Sequence, residues 1–191
     1  MPTVISALLS GGARSWGVSG EERSTPFAVD RLGLAGDSLF RGVTSNAPAA
    51  IVFRWLLQIK VAPYSYDLLD NLGRQSPRQL TPGLENLEPG QTFMFIFDLV
   101  EFEKEKSLTL RLKPALRLGG LGGDAALSYD IRPAGDGSVR LLAKIVIRYA
   151  WGPLGWPVRL LLPPGDMVMM RKQLLTIKEL AEEQAGAGGR G

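Results

Sequence analysis

From Thr92 onward the chain alternates between apolar and polar residues. TFMFIFDLVEF, Thr92 to Phe102, carries Phe93, Phe95, Phe97 and Leu99 on one side, a charged EKEK turn follows, and SLTLRLK continues with Leu108, Leu110 and Leu112. ALSYDIRP repeats the pattern with Ala125, Leu127, Tyr129 and Ile131. AGDG supplies a hairpin turn, and SVRLLAKIVIRYA returns with Val139, Leu141, Ala143, Ile145, Ile147 and Tyr149 facing one way. Consecutive alternating strands separated by turn signals predict an antiparallel meander with one apolar face.

On either side of this region the period changes. SLFRGVTS, Ser38 to Ser45, alternates enough for a first strand, with Leu39 and Val43 on its buried side. In SNAPAAIVFRWLLQI, Asn46 offers a cap and Pro48 sits in the first turn, where a missing N–H costs nothing. Ile51, Val52, Trp55, Leu56 and Ile59 then draw one apolar helical face that must cover a sheet. APYSYDLLDNLGRQSP, Ala62 to Pro77, predicts a second short helix: Ser65 caps it, Asp67 sits at its positive end, Leu68, Leu69 and Leu72 form its apolar side, and Gly73 fits the left-handed C′ position. Asp70 and Arg74 are spaced to pair, and Asn71 can tie down the loop that follows.

At the other end, DMVMMRKQLLTIKELAEEQ places Met167, Met170, Leu174, Ile177 and Ala181 at spacings of three and four, with Asp166 as cap. This predicts one long amphipathic helix, followed by a flexible tail over 185–191. Trp151 and Trp156, beside Pro153 and Pro157, are expected to anchor the turn into that helix. Residues 1–37, rich in Gly, Ser, Thr and Arg, read as an irregular arm that packs locally through Trp16 and Phe27. The expected architecture over 38–184 is α+β: a curved antiparallel sheet gripping a long C-terminal helix, with two short helices between the first two strands.

Composition narrows the chemistry. A chain of 191 residues with 45% hydrophobic residues can bury one sizeable core. A net charge of +3 spread along the chain forces no nucleic-acid partner. The sequence holds no histidine and no cysteine, which removes imidazole relays, thiolate nucleophiles, disulfides, zinc fingers and cysteine-held clusters. It has neither a calcium loop nor a phosphate loop, and GGLGG, Gly119 to Gly123, misses the dinucleotide spacing and reads as an inter-strand loop. No cofactor and no metal are expected. MPTVISALLSGGARS lacks the basic start of a signal peptide, and no apolar run is long enough to span a bilayer, so a soluble, cytoplasmic protein without stable membrane insertion is expected.

APAAIVFRWLLQ, PYSYDLLDNLGRQSP, LTPGLENLEPGQTF and MVMMRKQLLTIKELAE, with SWGVSGEE before them, look like segments of a bacterial branch of the START-like superfamily, also called SRPBCC or helix-grip. In that branch a W-L-x-Q helix leads into P-Y-S-Y-D…D-N-x-G-R-x-S-P, and the likeness runs from about Trp16 to Glu183. The resemblance implies the helix-grip fold and a central apolar cavity. The superfamily mixes polyketide cyclases, lipid carriers and receptors, so the resemblance implies no one reaction.

Three functional classes follow. The first is a binding module holding an apolar or amphipathic molecule, lipid or polyketide-like, between sheet and helix. Its candidate apolar contacts are Trp55, Phe95, Phe97, Leu110, Ile145 and Ile147, together with Met167, Met170 and Leu174 on the last helix. Its candidate polar contacts are Tyr64, Tyr66, Arg74 and Tyr129. The second is a cofactor-free cyclase or aromatase, with Asp67 or Asp98 as base and Tyr64, Tyr66 or Tyr129 as acid. The third is a partner-regulating protein with a vestigial cavity, marked by a large exposed apolar patch elsewhere. Each polar residue of the Ala62 to Pro77 stretch also has a structural use, as cap, ion pair or loop tie.

Overall fold

The alternating segments pair into one seven-stranded sheet. The computed structural model describes residues 12–65, 75–117, 123–149 and 155–188. The strands are β1 (Ser15–Trp16), β2 (Asp37–Ser45), β3 (Thr92–Phe93), β4 (Phe97–Glu103), β5 (Ser107–Leu112), β6 (Asp124–Pro133) and β7 (Val139–Arg148). Their order across the sheet is β1-β2-β7-β6-β5-β4-β3, antiparallel throughout except for the short parallel β1–β2 pair. The helices are α1 (Gly20–Ser24), α2 (Ala49–Leu57) and α3 (Gly155–Gly188). A 3-10 turn, Gln58–Lys60, continues α2.

The alternation decides which face is buried. Leu39 and Val43 from β2, Leu108 and Leu110 from β5, Leu127, Tyr129 and Ile131 from β6, and Leu141, Ala143, Ile145 and Ile147 from β7 form one core, with α2 and α3 laid across it. From α2 this core takes Val52, Phe53, Trp55, Leu56 and Leu57; from α3 it takes Met170, Leu174, Ile177, Leu180 and Ala181. The meander and the helical stripe therefore meet as expected, because each has only one face that excludes water.

Three local expectations are corrected. The segment Thr92 to Phe102 is not one strand: Met94 and Phe95 both take left-handed backbone, with φ 46° and 64°, so residues 94–96 turn and Phe93 pairs back onto Phe97. A bulge between Leu99 and Glu101 then resets the register of β4 against β5. The C-terminal helix does not begin at Asp166 but at Gly155, and it carries Pro163 and Pro164 inside it. Asn46 does not cap α2: Pro48 occupies that position, and the Asn46 N–H donates to the Glu182 carboxylate at 2.7 Å. Of the second short helix expected between the first strands, residues 66–74 lie outside the described residues, as do Trp151 and most of the GGLGG loop.

The N-terminal segment reaches across both faces. α1 begins with a reciprocal capping box between Ser19 and Glu22. Gly17, at φ 69°, lies so close to the first long strand that a Cβ there would fall 2.1 Å from the Gly42 carbonyl oxygen. Phe27 and Val29 cover the outer face of the sheet, in a second buried cluster with Ala126, Leu142 and Val146. The Phe27 ring meets Phe40 edge-on at 5.7 Å and lies 4.5 Å under the Arg132 guanidinium. Among the described residues, no helix is long and apolar enough to cross a membrane.

Candidate functional site

Between α3, the near ends of β6 and β7, and the 94–96 turn lies a cavity of about 380 Å³. Its wall is mostly apolar: Met94, Phe95, Ile96 and Phe97 on one side, Ala125, Leu127, Ile145 and Ile147 from the sheet, and Leu162, Met169 and Met170 from the helix. Pro63 and Ser65 close one end. The volume falls at the small end of the range of about 300–1,000 Å³ found for small-molecule sites. Phe95 stands at the rim, 64% exposed.

Two polar side chains of α3 interrupt the apolar wall. Gln173, fully buried, is held from three directions: its Nε2 donates to the Pro63 carbonyl at 2.6 Å and lies 3.6 Å from Met94 Sδ, and its Oε1 accepts from the Tyr129 hydroxyl at 2.5 Å. It thereby pins the helix to the loop before residue 65 and to the sheet. Burial raises the Tyr129 phenol well above its ordinary value, so Tyr129 is a donor at every ordinary pH.

Asp166 is the second. Its Oδ2 accepts from Arg41 Nη2 at 2.8 Å, and Arg41 is completely buried. Arg41 also donates to the carbonyls of Phe40 and Ala13, both at 2.8 Å, while its Nε has no partner among the described residues. Burial pushes the Asp166 carboxyl up from 3.8 to about 6, against the opposing pull of Arg41. Burial lowers the Arg41 guanidinium, with Asp166 acting the other way. In both members of the pair desolvation outweighs attraction, which is what a buried ion pair with incomplete hydrogen bonding does.

Of the candidate residues, Phe95, Phe97, Ile145, Ile147 and Met170 come together around the cavity. Leu110, Tyr129 and Leu174 are buried in the core behind it, and Met167 is buried on α3. Trp55 is elsewhere: its Nε1 donates to Gln184 Oε1 at 2.7 Å, and it borders a separate surface hollow with Arg78 and Leu180. Tyr64 is buried at φ 56°, donates its hydroxyl to the Pro77 carbonyl at 2.8 Å, and meets the Trp55 ring edge-on at 6.4 Å. Asp98 is half-buried on β4, opposite Thr92 and Arg111, and is not part of the cavity wall. Tyr66, Asp67 and Arg74 lie outside the described residues.

Sequence reasoning missed Asp166, Gln173 and Arg41. A signal for two of them was present: Asp166, Met170 and Gln173 recur at i, i+4 and i+7, which puts two polar groups on the same helical face as a core methionine. Among the described residues, no group of three or more acidic side chains could hold a metal ion.

No protein-family model matches the chain, and no curated protein matches it. Solved structures do. A hypothetical protein from Helicobacter pylori matches with a TM-score of 0.52 at 12% identity, covering 83% of this chain and 98% of that one. A protein from Chromobacterium violaceum matches at 0.47 and 14% identity, over 76% and 96% of the two chains. A norcoclaurine synthase point mutant from Thalictrum, in complex with a transition state analogue, matches at 0.44 and 15% identity, over 77% and 94%. The likeness is distant, and what it carries is the fold. The open antiparallel sheet wrapped on a long C-terminal helix is the helix-grip α+β fold.

Proposed function

We propose that the protein binds an apolar or amphipathic small molecule, lipid or polyketide-like, in the cavity between the sheet and α3. The observation that carries the reading is the cavity itself: about 380 Å³ walled by aromatic, aliphatic and methionine side chains, with Ser65, Asp166 and Gln173 as its few polar side chains. Convergent polar groups in an apolar pocket orient a ligand without filling the site. Methionine at positions 94, 169 and 170 suits a wall that adapts to its occupant. The reading assumes an aqueous, cytoplasmic setting and a small molecule as partner rather than a nucleic acid.

The test is binding of the neutral dye N-phenyl-1-naphthylamine to the purified full chain, alongside mass spectrometry of a solvent extract. Saturable dye binding that disappears in Ile145→Trp, which fills the cavity, supports the reading. Equal dye binding by wild type and Ile145→Trp would overturn it.

A second reading, a cofactor-free enzyme of the cyclase or aromatase type, draws support from Asp166. A cavity carboxyl near pKa 6 can take or give a proton at neutral pH. In that case Asp166→Asn abolishes turnover of a polyketide-like substrate while dye binding persists; turnover by the variant at the wild-type rate would exclude Asp166 as the base.

A further inference from the structure

We propose that the occupant of the cavity is an uncharged amphiphile ending in a hydroxyl group, whose O–H donates to the second carboxylate oxygen of Asp166. This rests on the binding reading above and adds the chemistry of the ligand's polar end.

Among the described residues of the cavity wall, Asp166 is the one that ionises. Its Oδ2 is taken by Arg41, and its Oδ1 accepts from no donor among the described residues, although the carboxyl borders open space. The other polar side chain that α3 contributes is spent: both ends of the Gln173 amide are already occupied, by Tyr129 and by Pro63 with Met94. The wall also carries the Ser65 hydroxyl, which has a partner of its own, so the idle polar atom that the cavity offers is the Asp166 Oδ1 acceptor.

Charge balance then selects the head group. Asp166 and Arg41 sum to zero, and the two phenols that feel the Asp166 charge, Tyr129 from β6 and Tyr149 just past β7, are held neutral by burial; the Tyr149 hydroxyl is itself buried without a partner among the described residues. Beyond Tyr149, Asp37 is neutralised by Arg14 and Arg159. A carboxylate ligand would set a second anion against Asp166 in mostly apolar surroundings. An ammonium ligand would place two cations on one carboxylate and leave a net charge in apolar surroundings, at a large desolvation cost. A hydroxyl leaves the pair neutral and gives the idle oxygen a charge-assisted hydrogen bond.

The experiment is titration calorimetry of the full chain at neutral pH with four probes of one chain length: octanol, methoxyoctane, octanoate and octylamine. Octanol is expected to bind at least about tenfold more tightly than each of the others, a tenfold ratio being about 1.4 kcal/mol. In the double variant Arg41→Met with Asp166→Leu, the preference for octanol over methoxyoctane should disappear, whatever the change in the affinity of both. The pair is replaced together because removing Asp166 alone leaves a buried unpaired cation, and the wild-type ranking decides the matter even if the variant does not fold. Equal binding of octanol and methoxyoctane, or tighter binding of octanoate or octylamine, overturns the hydroxyl assignment and leaves the cavity reading standing. Failure of all four probes to bind overturns both.

Discussion

Asp166 couples the cavity to pH. Its carboxyl is raised from 3.8 to about 6 in the folded chain, so between those values the native state holds a proton that the unfolded chain has released. The stability this group contributes is therefore full below about pH 4 and is lost as pH rises through 6, by about 3 kcal/mol at most. Asp166→Asn does not titrate, and it presents Arg41 with the same neutral partner that protonated Asp166 does. The difference in melting temperature, variant minus wild type, is expected to grow as pH goes from 4 to 7. A difference that stays flat over that range would place the carboxyl at an ordinary value. Tyr129 offers a second residue-scale test. Its hydroxyl supplies the buried Gln173 Oε1, so Tyr129→Phe leaves an acceptor without a donor and should lower stability in urea by about 1–3 kcal/mol. Gly17→Ala, forced to an unfavourable φ and into the Gly42 carbonyl, should lose more than about 1 kcal/mol by the same measure.

At the scale of elements, the 94–96 turn separates what alternation can and cannot reveal. Phe93 and Phe95 are equivalent in a period-two pattern, yet Phe93 is fully buried and Phe95 is 64% exposed on left-handed backbone. Phe93→Ala should cost about 3–5 kcal/mol, whereas Phe95→Gly should leave the melting temperature unchanged or raise it, while weakening dye binding at the rim. Equal losses would mean that residues 92–99 run as one strand. The turn was hidden because FMFIF contains none of the glycine, asparagine or aspartate that usually marks left-handed backbone. Strands β2, β5, β6 and β7 and the helical stripe were legible because a half-buried element must repeat at its own period. The start of α3 was not, since Pro163 and Pro164 read as a stop and Asp166 before an apolar run reads as a cap. The same pattern conceals the site, because a capping aspartate has its carboxylate on the helix end, whereas Asp166 lies inside α3 and faces the cavity. Gln173 was concealed differently, by lying between Met170 and Leu174 on a stripe whose purpose looked purely apolar.

For the whole molecule, the N-terminal segment matters because the sheet is buried on two sides. The inner face closes on α2 and α3, while Phe27 and Val29 shield Ala126, Leu142 and Val146 on the outer one. A chain shortened to begin at Gly36 should keep its helical content but bind hydrophobic dyes on the uncovered face and associate at lower concentration. A monomer of unchanged stability would show that the outer cluster contributes little. The Arg41–Asp166 pair has a further consequence, in time rather than in space. It joins residues 125 positions apart, and β2 finds its long antiparallel partner only in β7, where Asp37 pairs with Ile147. A ribosome releases β2 well before β7, and β7 before α3, so the first long strand waits before its neighbour exists. The cavity consequently closes only once α3 has followed β7, and on the proposed binding reading a ligand present during translation can be enclosed as that helix docks instead of having to pass the Phe95 rim afterwards.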